Sequence, residues 1–380
     1  MSPEAPVICV VGARPNYMKM APIIRAFARH DPPLPTLLVH TGQHYDAAMN
    51  ARLFADLDLP MPDVNLEVGS GSHAVQTAEI MKRFEPVLDT HGARAVLVVG
   101  DVNSTLACAL VAVKRQVPVV HVEAGLRSED RRMPEEINRL LTDQISDVLY
   151  LTERGAYSNL AREGIPEVRA AFVGNVMIDS LLASLDKAVP AADSLCAAGQ
   201  DSARIADGYG VVTLHRPSNV DDPATLGAIF AALAQIAIGL PLVFALHPRT
   251  TKNLERFGML EHLDNPRFVI LPPQGYLEML GLMRGATMVL TDSGGIQEET
   301  TALGVPCVTI RENTERPITV EQGTNTLAGC SPDAIVAAAR DVLQSGGKRG
   351  RVPEYWDGRA AERIAAHLHA WLQAQAAATA

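Results

Sequence analysis

Two doubly wound α/β domains facing a cleft are what this sequence predicts, and three observations predict them. Short, apolar, β-branched runs alternate with helical segments, the pattern of parallel strands joined by crossover helices. That rhythm runs twice, on either side of a stretch at 187–208 that is rich in Ala, Asp, Ser and Gly and poor in apolar periodicity. Several strands stop abruptly on a glycine or a charged residue, and in open parallel sheets ligands sit outside the carboxyl ends of the strands.

Hydrophobic residues make up 47% of the 380 positions and charged residues 20%, the balance of a globular chain with sizeable cores. Aromatics are only 4%, so Ala, Val and Leu have to fill those cores. Lys and Arg number 33 against 43 Asp and Glu, a formal net charge of -10, which argues against a general nucleic-acid binder. A small anionic ligand stays compatible, because local arginines and helix N-termini override the global field. Cys9, Cys108, Cys196, Cys307 and Cys330 are scattered and form no C-x-x-C pair, as expected of reduced thiols in a cytosolic protein. No signal peptide and no apolar run of membrane-spanning length is visible, so a soluble, cytoplasmic chain with no membrane partner is expected.

The first half opens with a strand at 7–11. Gly12-Ala13-Arg14-Pro15 turns out of it into a helical pattern at 17–30, with Arg14 and Lys19 beside the turn. A glycine turn between strand and helix is a usable phosphate cradle. A second strand at 36–41 leads into the polar loop Gly42-Gln43-His44-Tyr45-Asp46, then a helix at 73–84 and a strand at 95–99. Gly100-Asp101-Val102-Asn103-Ser104-Thr105 closes that strand and opens a helix. Asp101 is therefore either a carboxylate presented at a strand end or a helix cap.

The stretch 117–139, V-P-V-V-H-V-E-A-G-L-R-S-E-D-R-R-M-P-E-E-I-N-R, organises this half. It begins as a buried strand at 117–122 and crowds charge behind it. Glu123 falls where the strand should end, with Gly125 permitting a tight exit, and a carboxylate directly after a buried strand seldom serves packing. Pro134 suits a first helical turn, which places Glu135 and Glu136 near a helix N-terminus. There they complement the dipole, with Glu135 and Arg139 as an i, i+4 pair, or one of them faces the same crevice as Glu123. Strands at 148–151 and 170–173 complete the first domain, placed at 1–178.

The second domain is placed at 179–360, with strands at 210–214, 242–246, 268–271, 288–291 and 307–310, and a last amphipathic helix follows at about 358–378. His215-Arg216 and His247-Pro248-Arg249 each follow a strand directly; two such pairs suit an anionic ligand, and they lack the spacing of a zinc site. Thr291-Asp292-Ser293-Gly294-Gly295-Ile296-Gln297-Glu298-Glu299-Thr300 is the sharpest local signal. Gly-Gly is poor for helix propagation, whereas bare backbone N–H groups at a helix start cradle a diphosphate. Glu299, about one turn in, could accept from the two hydroxyls of a ribose; a plain N-capped helix is the alternative. Arg316 in Thr314-Glu315-Arg316-Pro317 is a candidate phosphate or sugar contact.

The ordered set G-A-R-P…K-M-A-P, G-Q-H, G-D, H-V-E-A-G-L-R, P-E-E-x-N-R, H-R, H-P, T-D-S-G-G-x-Q-E-E and T-E-R-P, from Val7 to Gly329, resembles the non-hydrolysing UDP-N-acetylglucosamine 2-epimerases. The resemblance implies a glycosyltransferase-B architecture, with UDP held by the second domain and the terminal helix, 361–380, packed back on the first. It implies Asp101, Glu123 and Glu135 as catalytic carboxylates, with His215 beside the diphosphate. It implies Arg14, Lys19, His247, Gln274, Ser293, Gly294, Gly295, Glu299 and Arg316 as contacts of the UDP-sugar. Inverting carbon 2 by anti elimination of UDP and syn re-addition needs carboxyl groups held in different protonation states. Neither a metal nor a redox cofactor is implied, because the leaving group makes the elimination possible. A homodimer acting in polysaccharide biosynthesis is implied as well.

Three departures bear on substrate and control. Met133 stands where many members have an aromatic residue, and Pro217-Ser218-Asn219 follows His215-Arg216 where many read R-E-N. An R-Q pair of the allosteric site is absent around 73–77, although Gln43 and His44 remain. Epimerases of UDP-2,3-diacetamido uronates, hydrolysing 2-epimerases that release N-acetylmannosamine and UDP, glycosyltransferase-B transferases and plain nucleotide-sugar binders are the alternatives. The losses predict little dependence on UDP-N-acetylglucosamine as an activator: reverse-direction rates are expected without it, and sigmoidal kinetics that it restores would contradict this.

Overall fold

The computed structural model describes residues 5–42 and 54–379. The loop Gln43-His44-Tyr45-Asp46 lies outside the described residues. The chain divides into two compact units, residues 1–183 with 354–380, and residues 184–353. Among the described residues no helix is long and apolar enough to cross a membrane.

The first unit is built on seven strands: β1 (Val7–Val11), β2 (Thr36–His40), β3 (Val64–Asn65), β4 (Ala95–Val99), β5 (Val119–Ala124), β6 (Val148–Leu151) and β7 (Ala170–Phe172). They pair in parallel in the order β3-β2-β1-β4-β5-β6-β7. The order reverses between β1 and β4, and such a switch point leaves a crevice at the strand ends. Apolar residues of β1, β4 and β5 are almost wholly inaccessible, as strands covered on both faces require. The two-residue β3 is too short to carry a periodic signal, and the sequence reading passed over it.

Two other departures have local causes. The helix expected at 73–84 runs His73–His91 through Pro86. Ile80, Phe84, Val87 and Leu88 continue one buried stripe at i, i+4, i+7 and i+8, and that packing outweighs the exposed proline. The strand expected at 117–122 is shifted to Val119–Ala124, its first partner pair being Val96 with Val119. Pro118 cannot donate to the ladder, and Glu123 consequently lies inside the strand instead of after it.

The second unit repeats the plan with six strands: β8 (Gly210–Thr213), β9 (Leu242–Ala245), β10 (Phe268–Leu271), β11 (Met288–Thr291), β12 (Cys307–Thr309) and β13 (Asn325–Leu327). Their order is β10-β9-β8-β11-β12-β13, all parallel, with the reversal between β8 and β11. The low-periodicity stretch at 187–208 is not a bare linker: Leu195 and Ile205 are buried in a cluster with Tyr209, Val211 and Leu282.

Against boundaries drawn at 178 and 360, helix Val176–Ser184 belongs mostly to the first unit, and the chain rejoins that unit from residue 354. Helix Ala360–Thr379 packs on helix Arg14–Arg29. Its first turn is capped from within the unit, Asp179 accepting from the amides of Ala360 and Ala361 at 3.2 and 2.7 Å. The approach is tight at Gly174, whose φ is 93°. A Cβ there would stand 2.1 Å from the carbonyl oxygen of Tyr355. Gly174→Ala is therefore expected to lower unfolding stability by about 2–4 kcal/mol, read by denaturant titration; an unchanged midpoint would contradict the packing.

Candidate active site

At the switch point of the first unit, the turn after β1 is packed shut. A Cβ on Gly12 would meet Ser104 Oγ at 2.1 Å and Thr41 Oγ1 at 2.8 Å. The amides of Gly12 and Ala13 both donate to Asn16 Oδ1, at 3.1 and 3.0 Å. Those donors are spent inside the protein, so the phosphate cradle read from this glycine turn is replaced by a side-chain cap. Helix Arg14–Arg29 starts at Arg14 itself, half-buried in the first turn. One turn further on, Lys19 is buried and its ammonium pairs with the carboxylate of Glu123.

Glu123 stands on a β-bulge, where the register of β5 against β6 slips between Val122 and Ala124. Its φ is 71°, a left-handed conformation that costs a residue bearing a Cβ. Strain of this kind gathers at functional sites, where a side chain has to be re-aimed. The next strand end along the sheet belongs to β4, and there Gly100, also at positive φ (66°), leads into Asp101.

Asp101 does not cap the helix that follows: Val102 is the N-cap and no side-chain cap bond forms. Its carboxylate instead pairs with Arg139, and its carbonyl accepts from Asn138 at 2.8 Å. Arg139 is 2% exposed. The pairing expected between Glu135 and Arg139 is not the one formed, because Arg139 turns inward to Glu136 at 2.7 Å and to Asp101. Glu136 also accepts from the amides of Ser128 and Glu129. Burial pushes its carboxyl up, and the Ser128 amide and Arg139 guanidinium outweigh that and hold it below the ordinary range. Glu136 is thus a structural anchor. Glu135, half-buried on the first turn of helix Pro134–Ile145, makes no hydrogen bond or ion pair among the described residues.

The second unit gathers a different chemistry at its switch point. Asp292, just past β11, is wholly buried. It accepts from the amides of His215 and Arg216 at 3.0 and 2.9 Å, and its Oδ1 lies 3.0 Å from His215 Nδ1. Burial pushes the Asp292 carboxyl up, but the His215 ring and these amides hold it below the ordinary value. The contact engages Nδ1 of the half-buried His215 ring and so orients it. Ser293 is the N-cap of helix Gly294–Leu303 and makes no side-chain cap bond, so the side chain does not occupy the first-turn amides. This turn keeps the anion-binding character that the turn after β1 lacks.

Basic groups surround it. Glu315 is buried between Arg216 at 3.3 Å and Arg311 at 2.7 Å. Burial raises its carboxyl, and Arg316, Arg311 and Arg216 together drive it far below the ordinary range. A Cβ on Gly294 would lie 2.6 Å from Glu315 Oε1, so that glycine also answers to packing. Arg316 pairs with buried Glu298 at 2.9 Å. His247 caps helix Pro248–Phe257, its Nδ1 accepting from the Arg249 amide, and its ring centroid is 5.3 Å from that of His215. Gln274 is half-buried and donates to the Pro272 carbonyl at 2.7 Å. Asp292 and Glu315 lie in motifs read from the sequence for their neighbours, and the inward pairing of Glu136 with Arg139 is visible only in the fold. The usable signal for Asp292 was the one that marked Asp101, a carboxylate directly after a buried strand. No group of His, Cys, Asp and Glu among the described residues is arranged to hold a metal ion.

Glu299 is 4% exposed, and its Oε1 has no hydrogen-bond partner among the described residues. Burial, with neighbouring Glu298, pushes its carboxyl up to about 8. The folded value therefore exceeds the unfolded one, so stability from this group is complete below about pH 4.5 and is lost as pH rises towards 8. Glu299→Gln is expected to flatten that loss, raising stability relative to the parent at pH 8 more than at pH 5. Parallel denaturant curves of equal separation at both pH values would contradict it.

A family profile described as UDP-N-acetylglucosamine 2-epimerase matches residues 27–369. The chain is 42% identical over 358 residues to UDP-N-acetylglucosamine 2-epimerase of Methanocaldococcus jannaschii, covering 93% of this chain and 96% of that one. It is 41% identical over 369 residues to UDP-2,3-diacetamido-2,3-dideoxy-D-glucuronate 2-epimerase of Pseudomonas aeruginosa, covering 95% and 99%. The crystal structure of the M. jannaschii UDP-GlcNAc 2-epimerase in complex with UDP-GlcNAc and UDP superposes with a TM-score of 0.84 at 40% identity, over 96% of this chain and 99% of that one. The paired parallel sheets, the carboxylates at the first switch point and this full-length likeness agree: the chain belongs to the UDP-N-acetylglucosamine 2-epimerase family.

Proposed function

We propose that this protein interconverts UDP-N-acetylglucosamine and UDP-N-acetylmannosamine by epimerisation at carbon 2, through elimination and re-addition of UDP. The observation that carries the reading is the pair Asp101 and Glu123, each matched by a cation from a neighbouring helix, in a chain alike along its length to an epimerase of that name. In the elimination the proton leaves carbon 2, and the carbon–hydrogen electron pair becomes a double bond to carbon 1. The carbon 1–oxygen pair departs with UDP. Re-addition of UDP and return of a proton to the other face of carbon 2 completes the inversion. One group has to accept a proton and another has to give one, and Asp101, Glu123 and Glu135 are assigned to these transfers.

In this reading the first unit supplies proton transfer and the second holds UDP. The helix start at Ser293, Gly294 and Gly295, with His215 and Arg316, takes the diphosphate, whose negative charge grows as it leaves. Glu299 takes the ribose hydroxyls, and Arg14, His247 and Gln274 complete the substrate contacts. Lys19 acts through Glu123, whose carboxylate it touches. A cytoplasmic homodimer belongs to the same reading. The P. aeruginosa relative, at 41% identity, favours a second substrate, a UDP-2,3-diacetamido uronate, turned over by the same chemistry.

Proton NMR of UDP-N-acetylglucosamine incubated with the protein in D₂O tests the reading. Deuterium at carbon 2 together with UDP-N-acetylmannosamine is expected. Free N-acetylmannosamine with UDP would move the chain to the hydrolysing reaction. Absence of both, with turnover of the diacetamido uronate, would establish the second substrate. Asp101→Asn is expected to lower kcat by about 10²–10⁴ while UDP still binds; unchanged turnover would remove Asp101 from the reaction.

A further inference from the structure

Glu123 sits on strained backbone, and glycine turns follow it and precede Asp101. Gly100 has φ 66°, Glu123 71° and Gly125 78°, and such positions persist only where their surroundings over-determine them. Arg139 and Lys19 hold the two carboxylates, but something else has to hold the turns beneath them. The group in place to do so is His121, wholly buried in β5 two residues before Glu123.

The His121 ring bridges two elements. Nε2 lies 2.8 Å from the carbonyl oxygen of Gly100, the residue before Asp101. Nδ1 lies 2.6 Å from Asp143 Oδ1 on helix Pro134–Ile145. The other oxygen of Asp143 accepts from the Gly125 amide at 3.0 Å and from Arg127 at 2.7 Å. Asp143 is thus tied to the far side of the bulge that carries Glu123. The same helix supplies Arg139, one turn before Asp143 and inward-facing, to Asp101.

Proton accounting adds a constraint. A carbonyl only accepts, so Nε2 donates. Asp143 receives two N–H groups on Oδ2, one from a guanidinium, which favours its carboxylate form, and its Oδ1 faces Nδ1.

We propose that His121 is a positioning residue for proton transfer at carbon 2: by bridging the Gly100 carbonyl to Asp143 it locks the turn of Asp101 to the bulge of Glu123. The proposal rests on the assignment of those two carboxylates made above. His121 has no exposed surface, so it acts through them and touches no substrate. A glutamine carries both N–H donors on one nitrogen and so cannot meet two partners from two separated positions, as the ring does.

The test compares the parent, His121→Gln, Asp143→Asn and Asp101→Asn, each checked for folding by thermal melting. His121→Gln and Asp143→Asn are expected to lower kcat and the rate of deuterium entry at carbon 2 by about 100-fold, the cost of a misplaced catalytic group. KM and the Kd for UDP are expected to stay within about threefold, since ground-state contacts are untouched. A folded His121→Gln protein with kcat within about threefold of the parent overturns the proposal. No deuterium entry in the parent, or full activity in Asp101→Asn, overturns the functional reading instead. Nitrogen-15 spectra of the histidines in the unmodified protein decide the bridge independently of activity and of any variant's folding. A proton on His121 Nε2, the nitrogen that faces the Gly100 carbonyl, is expected, and a bare Nε2 overturns the proposal.

Discussion

Carboxylates at the ends of buried parallel strands have to be met by cations from the helices that cover them, and the first unit is arranged around that requirement. A charge removed from water without a partner is strongly unfavourable. Lys19 answers Glu123 from helix Arg14–Arg29. Arg139 answers Asp101 and Glu136 from helix Pro134–Ile145. Beneath them Arg127 and His121 answer Asp143. Deleting one member of such a pair costs about 3–5 kcal/mol, far more than a surface ion pair is worth. The ion pairs therefore serve placement: they fix side chains on backbone that would otherwise relax.

The second unit solves a different problem with the same topology. At its switch point Arg216, Arg311 and Arg316 are set among Glu315, Glu298 and Asp292, and the uncapped first turn of helix Gly294–Leu303 adds its amides. Asp292 holds the His215-Arg216 backbone from below. An incoming diphosphate would meet groups already oriented, and orientation before binding is what makes electrostatic stabilisation effective.

Glycines that look alike in sequence turn out to have different causes. Gly12 follows a strand and precedes a helix, as a phosphate cradle would require, yet Ser104 and Thr41 crowd it and Asn16 takes the adjacent amides. Gly294 follows a strand in the same way, and there no side chain caps the helix. In the first case the Asn16 side chain takes the amides of the turn, and in the second the Ser293 side chain takes none. Similarly, Glu135 and Glu136 are adjacent and equivalent by composition. One faces inward to Arg139 and the Ser128 amide, and the other meets no partner among the described residues.

The sequence by itself made the fold class and most strands legible, because apolar runs, helical periodicity and strand-end residues are local signals, and it made the family legible through the resemblance that its ordered motifs carry. It marked Asp101, Glu123 and His215 for the same reason, each lying beside a buried strand. Only the tertiary structure decided which cation meets which carboxylate, that Pro118 shifts Glu123 into a bulge, and that His121 joins Gly100 to Asp143. The contacts of His121 with Gly100 and Asp143 and of Arg139 with Asp101 link residues 21, 22 and 38 positions apart, within the reach of crossover connections in a parallel sheet. Their partners are chosen by which strands lie side by side, and nothing in the local pattern of either residue records that choice.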